Sequence, residues 1–207
     1  MKVIGGDIAT VSGAGIIDGD TYRAVTFRAT SETETRRKAR EKAQSVGGRK
    51  VKIPAEDREL HEKAATFRVW WRSLLAAEQP DFVALEAPLM GVQDEITFEE
   101  DMGGGKRMVR KPTSNPATVQ LLQGLNLIAG MVCVEMGIPF EIVAVSSHRK
   151  AFLGTGRPPK GEGKKLTLAR CRQLGLDIKS LDAADGFSVA WWGVGRASML
   201  HAMGRSR

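Results

Sequence analysis

Two short apolar runs, each carrying an acid, constrain this chain more than any other feature. Phe82-Val83-Ala84-Leu85-Glu86 is uninterrupted and ends in a carboxylate. Such a run is typical of a strand buried in a sheet that is covered on both faces. The N-terminal run, residues 2–8, is bounded by glycine and includes Asp7. A sheet covered on both faces needs helices to cover it, which favours the α/β class.

The remaining pattern supplies those helices. Turn residues 18–20 predict a hairpin of strands, and a strand is also predicted near 140–145. Apolar residues at helical spacing, together with cap and stop signals, predict the helices. Their expected ranges are 31–43, 54–77, 115–136, 146–153, a basic helix ending at 174, and a last helix from 182 to 192 or beyond. The chain shows no repeat and no clear linker, so we expect one domain over residues 1–207.

Composition excludes several other classes of protein. The chain has 207 residues, of which 42% are hydrophobic and 27% charged, and this excludes full disorder, collagen and coiled coil. No apolar run is expected to approach the roughly 20 residues of a membrane span. An acid occurs too early for a secretory signal, and the two cysteines lack metal-ligand spacing. These features predict a protein of the reducing cytoplasm that does not enter a membrane.

The net charge of +7 is concentrated in two stretches. Residues 33–52 carry eight bases and two acids, and residues 148–172 carry eight bases and one acid. Clusters of this density are typical of phosphate-binding surfaces, although solvated helix faces produce them as well. The second stretch includes Arg149, Lys150, Arg157, Lys160 and Lys164.

Residues 89–113 have no periodicity and are predicted to form a long, mobile loop. Five acids come first, then three glycines, then Lys106, Arg107, Arg110 and Lys111. Met90 follows Glu86 closely, so it could insert between base pairs or pack under the loop.

Four carboxylates occur where acids are structurally costly. Asp7 and Glu86 adjoin apolar strands, while Asp182 and Asp185 lie three residues apart at a helix start and so share one face. Each alone has an ordinary interpretation as a turn, strand-end or helix-cap residue. Together they form a set of hard oxygen ligands that suits Mg²⁺ or Mn²⁺, because converging carboxylates repel one another without a cation.

The order of these acids resembles that of RuvC-type Holliday junction resolvases in the RNase H superfamily. The resemblance rests on the first strand with Asp7, the strand ending in Glu86, and the last helix with its D-x-x-D motif. A basic G-x-G segment, residues 149–160, completes it. Ile8-Ala9 departs from the Pro-Gly that usually follows the first acid, and the basic stretch 33–52 is an insertion. These departures are typical of a divergent, phage-type member.

The resemblance implies an RNase H-like fold, a central mixed β-sheet flanked by helices. It implies an endonuclease that resolves four-way DNA junctions by paired phosphodiester hydrolysis, leaving 5′-phosphate and 3′-hydroxyl ends. Asp7, Glu86, Asp182 and Asp185 would hold two Mg²⁺ ions, or Mn²⁺, per active site, and Lys160 would act beside them. The DNA contacts implied are Arg149, Lys150, Arg157, Lys160, Lys164, Lys106, Arg107, Arg110, Lys111 and Met90. The partners implied are branched DNA and a second copy of the chain, joined through residues 114–136, in the cytoplasm of a bacterium or of its phage-infected host.

Two alternatives stay open at this point, and a third lacks the motif that it needs. A nuclease of the same fold could cut forks, flaps or RNA hybrids, and a protein that has lost catalysis could only bind junctions. An actin-like ATPase shares strand-end acids but needs two phosphate-binding glycine turns, which the sequence lacks. Among the other residues, Trp71 is expected in the core, and His148 and His201 are expected at the surface.

Overall fold

The computed structural model describes residues 1–45, 51–88, 94–100, 106–112 and 116–204. Seven strands and six helices occur in these ranges. In chain order they are β1 Lys2–Asp7, β2 Val11–Asp18, β3 Thr21–Arg28, α1 Glu32–Gln44, α2 Asp57–Glu78, β4 Phe82–Glu86, β5 Asp94–Glu100, β6 Lys106–Pro112, α3 Pro116–Glu135, β7 Phe140–Val143, α4 Val145–Leu153, α5 Gly163–Gln173 and α6 Leu181–Ala202.

Five of the strands form one mixed sheet in the order β3-β2-β1-β4-β7. β1, β2 and β3 are an antiparallel meander, whereas β4 pairs with β1 and β7 in parallel. Gly6 is in register with Leu85. Because the paired strands run in the same direction, Asp7 and Glu86 end them at the same edge of the sheet.

Alternate residues of β1 and β4 point to opposite faces, and a hydrophobic core covers each face. Ile4 and Val83 belong to the core built with α2 and α3, where Phe67, Trp71 and Leu75 are fully buried. Val3 and Ala84 pack on the other face against α6. The sheet is therefore covered on both sides, as the continuous apolar run of β4 predicts, and the expectation that Trp71 lies in the core is confirmed.

Glycines bring the backbone of α6 directly onto β1 and β2. A Cβ atom at Gly5 would lie 1.9 Å from the backbone nitrogen of Ala190, and one at Gly13 would lie 1.8 Å from the carbonyl oxygen of Asp182. Real Cβ atoms do not approach other heavy atoms so closely. Only glycine at these strand positions allows the first turns of α6 to lie against the sheet.

The inserted helix α1 buries none of its residues and is attached to α2 by charged groups. Arg37 Nε lies 2.6 Å from Oε1 of the buried Glu59, and Lys63 Nζ lies 2.8 Å from Oε2 of Glu34. Ser31 caps the helix by accepting a hydrogen bond from the backbone N–H of Glu34. The predicted helix over 31–43 is confirmed. Bases on this helix form ion pairs with acids of the same chain.

The prediction that residues 89–113 form a long loop is wrong for residues 94–100 and 106–112. In these ranges, β5 and β6 form a separate two-stranded antiparallel sheet. The register sets Glu95 opposite Lys111, Glu99 opposite Arg107 and Glu100 opposite Lys106. The acidic half of the segment is thus paired in register with its basic half.

Helix α3 corrects the expectation about membrane-length apolar runs. Its 20 residues are long and apolar enough, by length and composition, to cross a membrane, with a mean hydropathy of 1.6. One side of the helix, including Leu125, Ala129 and Val132, is fully buried in the core beneath the sheet. The helix packs as the core helix of a globular domain does.

Candidate functional site

Three of the four predicted acids surround the side chain of one lysine. Lys164 Nζ lies 2.7 Å from Oδ1 of Asp182, 3.1 Å from Oδ2 of Asp7 and 3.7 Å from Oδ2 of Asp185. The lysine lies in the first turn of α5, and its side chain is 41% exposed. The Lys164 ammonium group thus links the end of β1 to the start of α6.

The backbone explains how these acids converge. Asp7 ends β1, and the turn after it is closed by Ser12, whose hydroxyl donates to the carbonyl of Ala9 at 2.7 Å. Ser180 caps α6, so Asp182 and Asp185 occupy its first turn and the next. The glycine contacts described above hold that end of the helix against β1 and β2.

Glu86, the fourth acid, is held by two other helices. Its backbone carbonyl accepts a hydrogen bond of 2.7 Å from the side-chain amide of Asn126 on α3. Its Oε2 atom lies 2.9 Å from Nε2 of His148 on α4. The charge of Glu86 raises the pKa of both Asp7 and Asp185, so it belongs to the same electrostatic cluster.

Burial and mutual repulsion dominate the electrostatics of the cluster. Burial raises the pKa of Asp7 to about 7, and the charge of Glu86 adds to that rise while Lys164 opposes it. Burial also raises the pKa of Asp185, against the opposing charges of Lys164 and Arg149. Burial alone would lower the pKa of Lys164, but Asp7, Asp185 and Asp182 outweigh it and raise that pKa. One lysine therefore does not fully compensate the negative charge.

Asp185 carries an oxygen that no protein group uses. Its Oδ2 accepts a hydrogen bond from Nη2 of Arg149 at 3.2 Å, whereas Oδ1 is buried and has no hydrogen-bond partner. An unsatisfied carboxylate oxygen beside three further acids fits a divalent cation, because Mg²⁺ and Mn²⁺ prefer hard oxygen ligands. The donor set is therefore chemically suited to the metal that the sequence predicts.

The acids are not arranged as a ready metal-ligand set. Across the described ranges, no three His, Cys, Asp or Glu side chains form a group that could hold a metal ion. The positive charge between Asp7 and Asp182 is that of the Lys164 ammonium.

A basic surface adjoins the acids. A cleft of about 380 Å³ is lined by Arg149, Arg157, Lys160 and Lys164 together with the glycines and prolines of residues 156–163. A second cleft, which shares Arg157, includes Lys150. The predicted bases of the 148–172 stretch thus lie on one continuous surface at the site. Lys106, Arg107, Arg110 and Lys111 are placed on β6, and Met90 lies outside the described residues.

The fold of the whole chain is similar to that of solved structures. No family model and no curated protein matches the chain significantly. Among solved structures it is similar to Thermus thermophilus RuvC, at 16% identity and a TM-score of 0.55, over 100% of this chain and 99% of that one. The same protein in complex with a Holliday junction substrate gives 14% identity and a TM-score of 0.56, over 100% and 98% of the two chains. The chain has a RuvC-like fold. A yeast mitochondrial Holliday junction resolvase, Ydc2, also matches, at 12% identity and a TM-score of 0.48, over 92% and 76%.

The RuvC-like fold confirms the predicted fold class and the resemblance on which it rested. The structure places two residues differently from the prediction. Lys164, expected only as a DNA contact, has its ammonium group among the acids, whereas Lys160 lies exposed on the adjoining cleft. His148 is fully buried, so its placement at the surface was wrong, while His201 is exposed as expected.

The features of the sequence that could have indicated the places of Lys164 and His148 were weak. Lys164 is one of eight bases in its stretch, and only the start of α5 at Gly163 distinguishes it from Lys160. The signal for His148 was its place between an apolar strand and an apolar residue, Phe152, one turn further along α4.

Proposed function

We propose that this protein is a divalent-metal-dependent endonuclease, acting as one domain in the cytoplasm, that resolves four-way DNA junctions. The observation that carries the proposal is the convergence of Asp7, Asp182 and Asp185 on one site, with Glu86 beside them and a basic surface adjoining. A surface that only binds phosphates is not expected to contain a carboxylate cluster, because carboxylates repel phosphates. Such a cluster is expected where a cation binds among the acids.

Asp7, Glu86, Asp182 and Asp185 would hold the metal, two ions per site as the resemblance implies. When bound, a divalent cation supplies Lewis-acid charge at the scissile phosphate and lowers the pKa of a coordinated water. The protein's own part is to bring four acids together at the edge of a rigid sheet. Asp7 and Asp185 are buried, which restricts their movement before the substrate arrives.

Lys164 and Arg149 would bind the phosphate next to the metal site. Both are already paired with acids, Lys164 with Asp7 and Asp182, and Arg149 with Asp185. Once other positive charge neutralises those acids, the long and partly exposed side chain of Lys164 can turn to the phosphate. A cation there stabilises the negative charge that grows in the transition state. Lys150, Arg157 and Lys160 would hold the flanking backbone of the DNA.

Paired cleavage needs two sites related by a two-fold axis, and α3 is the candidate interface. Leu127, Met131 and Val134 lie on one side of this helix and are 74%, 45% and 69% exposed. Their spacing of four and three residues forms an apolar stripe along the helix. In a dimer with a two-fold axis, the α3 helices of the two copies would cover each other's stripe.

A specific observation favours one alternative, a junction-binding protein without catalysis. The Lys164 ammonium pairs with three carboxylates, as the cation of a purely structural cluster would. Against this alternative, Asp185 Oδ1 is buried and unpartnered, and the pKa of Asp7 is raised, so the lysine does not compensate the cluster.

One experiment separates these activities. The purified protein is incubated with a synthetic immobile four-way junction, a replication fork and a linear duplex, each with and without Mg²⁺. We expect symmetric, Mg²⁺-dependent cuts in the junction and little cutting of the duplex. Preferred cutting of the fork would indicate the other branched-DNA nucleases. Tight junction binding with no cuts in Mg²⁺ or Mn²⁺ would show a binding protein and refute the proposal.

A further inference from the structure

A fully buried histidine connects two elements of the candidate site. His148 lies on α4 with no exposed surface. Its Nε2 atom is 2.9 Å from Oε2 of Glu86, and its Nδ1 atom is 2.9 Å from Oγ of Ser188. Ser188 is also fully buried, one turn beyond Asp185 on α6. The histidine therefore joins the end of β4 to the helix that carries two of the acids.

The partners determine which nitrogen carries the proton of a neutral imidazole. An ionised carboxylate only accepts hydrogen bonds, so Nε2–H of His148 donates to Glu86. Nδ1 is then an acceptor, and the hydroxyl of Ser188 donates to it. The direction of both hydrogen bonds is thus defined, from serine to histidine to glutamate.

A serine, a histidine and an acid are also the parts of an acyl-transfer triad, but this set cannot work as one. A nucleophilic serine must reach the substrate, and Ser188 is completely buried inside the packing of α6. The set can only orient its outermost member, Glu86.

We propose that His148 is a positioning residue that fixes the Glu86 carboxylate for the divalent cation, an inference that rests on the proposed function. With Oε2 engaged by His148, the Oε1 atom remains for the cation. Asn126 fixes the backbone of the same glutamate, so both ends of this residue are constrained. Arg149, the next residue on α4, holds Asp185 in a comparable way. Outer hydrogen bonds of this kind orient metal ligands and tune metal affinity.

The test measures binding of Mn²⁺ alone by titration calorimetry, without DNA. We expect His148→Leu to weaken Mn²⁺ binding by about 10- to 100-fold, as is typical when an outer partner of a metal ligand is lost. His148→Gln should restore much of the affinity, because its side-chain amide can still donate to Glu86. His61→Gln is the matched control, since His61 is an exposed histidine on α2 and should bind Mn²⁺ like the wild type.

Thermal unfolding in chelator shows whether each variant is folded. The proposal would be overturned if a folded His148→Leu variant bound Mn²⁺ with wild-type affinity. It would also be overturned if His148→Leu and His148→Gln weakened Mn²⁺ binding equally. If His148→Leu does not fold, Ser188→Ala decides the question, because it removes only the hydroxyl that orients the imidazole. It should weaken Mn²⁺ binding severalfold, and unchanged affinity would overturn the proposal. A wild-type protein that neither binds Mn²⁺ nor cuts junctions would instead refute the proposed function itself.

Discussion

Lys164 Nζ lies 2.7 Å from Oδ1 of Asp182, between that acid and Asp7. The ammonium thus occupies the position where the carboxylates converge. Its charge offsets part of their repulsion in the protein without metal, and it lies beside the cleft that would receive the phosphate. This dual position makes Lys164, and not Lys160, the lysine expected to affect the chemical step.

Replacing Lys164 by alanine should lower the single-turnover cleavage rate at saturating enzyme by at least about tenfold, because a cation near the developing charge is lost. Junction affinity should change much less, since Lys150, Arg157 and Lys160 are also proposed to contact the DNA. Lys160→Ala should show the reverse, a weaker affinity with a nearly normal rate. Lys165→Ala is the control, because that exposed side chain pairs with Glu162 on the surface. A normal rate in Lys164→Ala would make this lysine a structural ion-pair partner.

Asp7→Asn should reduce cleavage by at least about 100-fold in Mg²⁺, because a metal ligand is lost. Junction binding measured by gel shift should be preserved or improved, since the variant removes a negative charge that repels phosphates. Cleavage at a rate near that of the wild type would exclude Asp7 from the metal site.

The pH dependence of stability should change in the same variant. Burial first, and Glu86 second, raise the pKa of Asp7 from 3.8 to about 7. Between these values the folded protein keeps a proton that the unfolded chain loses, so the free energy of unfolding falls as pH rises through this window. The amide that replaces the carboxyl group in Asp7→Asn has no such proton, and each pKa unit is worth about 1.4 kcal/mol. In chelator, Asp7→Asn should therefore exceed the wild type in stability at pH 8 and approach it at pH 5.

Denaturant titrations at pH 5, 6, 7 and 8 measure this difference directly. A constant difference between the two proteins at all four values would show that folding does not raise the pKa of Asp7.

Much of the fold followed from the sequence because its strongest signals are local. The apolar run of β4 and the turn at residues 18–20 depend on neighbouring residues alone, and both predictions are confirmed. The β5–β6 hairpin was missed because residues 89–113 lack the periodicity that predicts a strand. The pairing of Glu99 with Arg107 appears only when the register is known.

The acids of the site were predictable, but their neighbours were not. Carboxylates that adjoin buried apolar strands are conspicuous, because burying a charge costs free energy. His148 and Ser188 lie 40 residues apart, and only the packing of α4 on α6 brings them together. The same reason explains why Lys164 could not be distinguished from Lys160, which lies four residues before it.

The exposed stripe on α3 should determine the oligomeric state. Leu127→Lys places a charge on the most exposed residue of the stripe, so it should shift a dimer toward monomer in sedimentation or light-scattering measurements. Junctions should then be cut in one strand at a time. Val69→Lys is the control, since Val69 is similarly exposed on α2. A Leu127→Lys protein that remains dimeric would place the interface elsewhere.

The two basic stretches should differ in how they respond to salt. Four of the eight bases of the insertion are paired with glutamates in the structure: Arg36 with Glu32, Arg37 with Glu59, Lys38 with Glu34, and Arg40 with Glu56. Lys150 and Arg157 instead line the clefts beside the acids. A base that neutralises a phosphate adds nearly one unit to the slope of log affinity against log salt. We therefore compare Arg36→Gln/Arg40→Gln with Lys150→Gln/Arg157→Gln.

The double variant at Lys150 and Arg157 should reduce the salt slope by about two units on junction and duplex alike. The double variant on α1 should leave the slope nearly unchanged, because each of those guanidinium groups already has a glutamate partner. Deleting the whole insertion would be a poorer test, since it removes Arg37 and leaves the buried Glu59 without its partner. A slope that falls only for the α1 variant would mean that its ion pairs open to bind DNA, and that the insertion is a phosphate-binding surface as its composition first indicated.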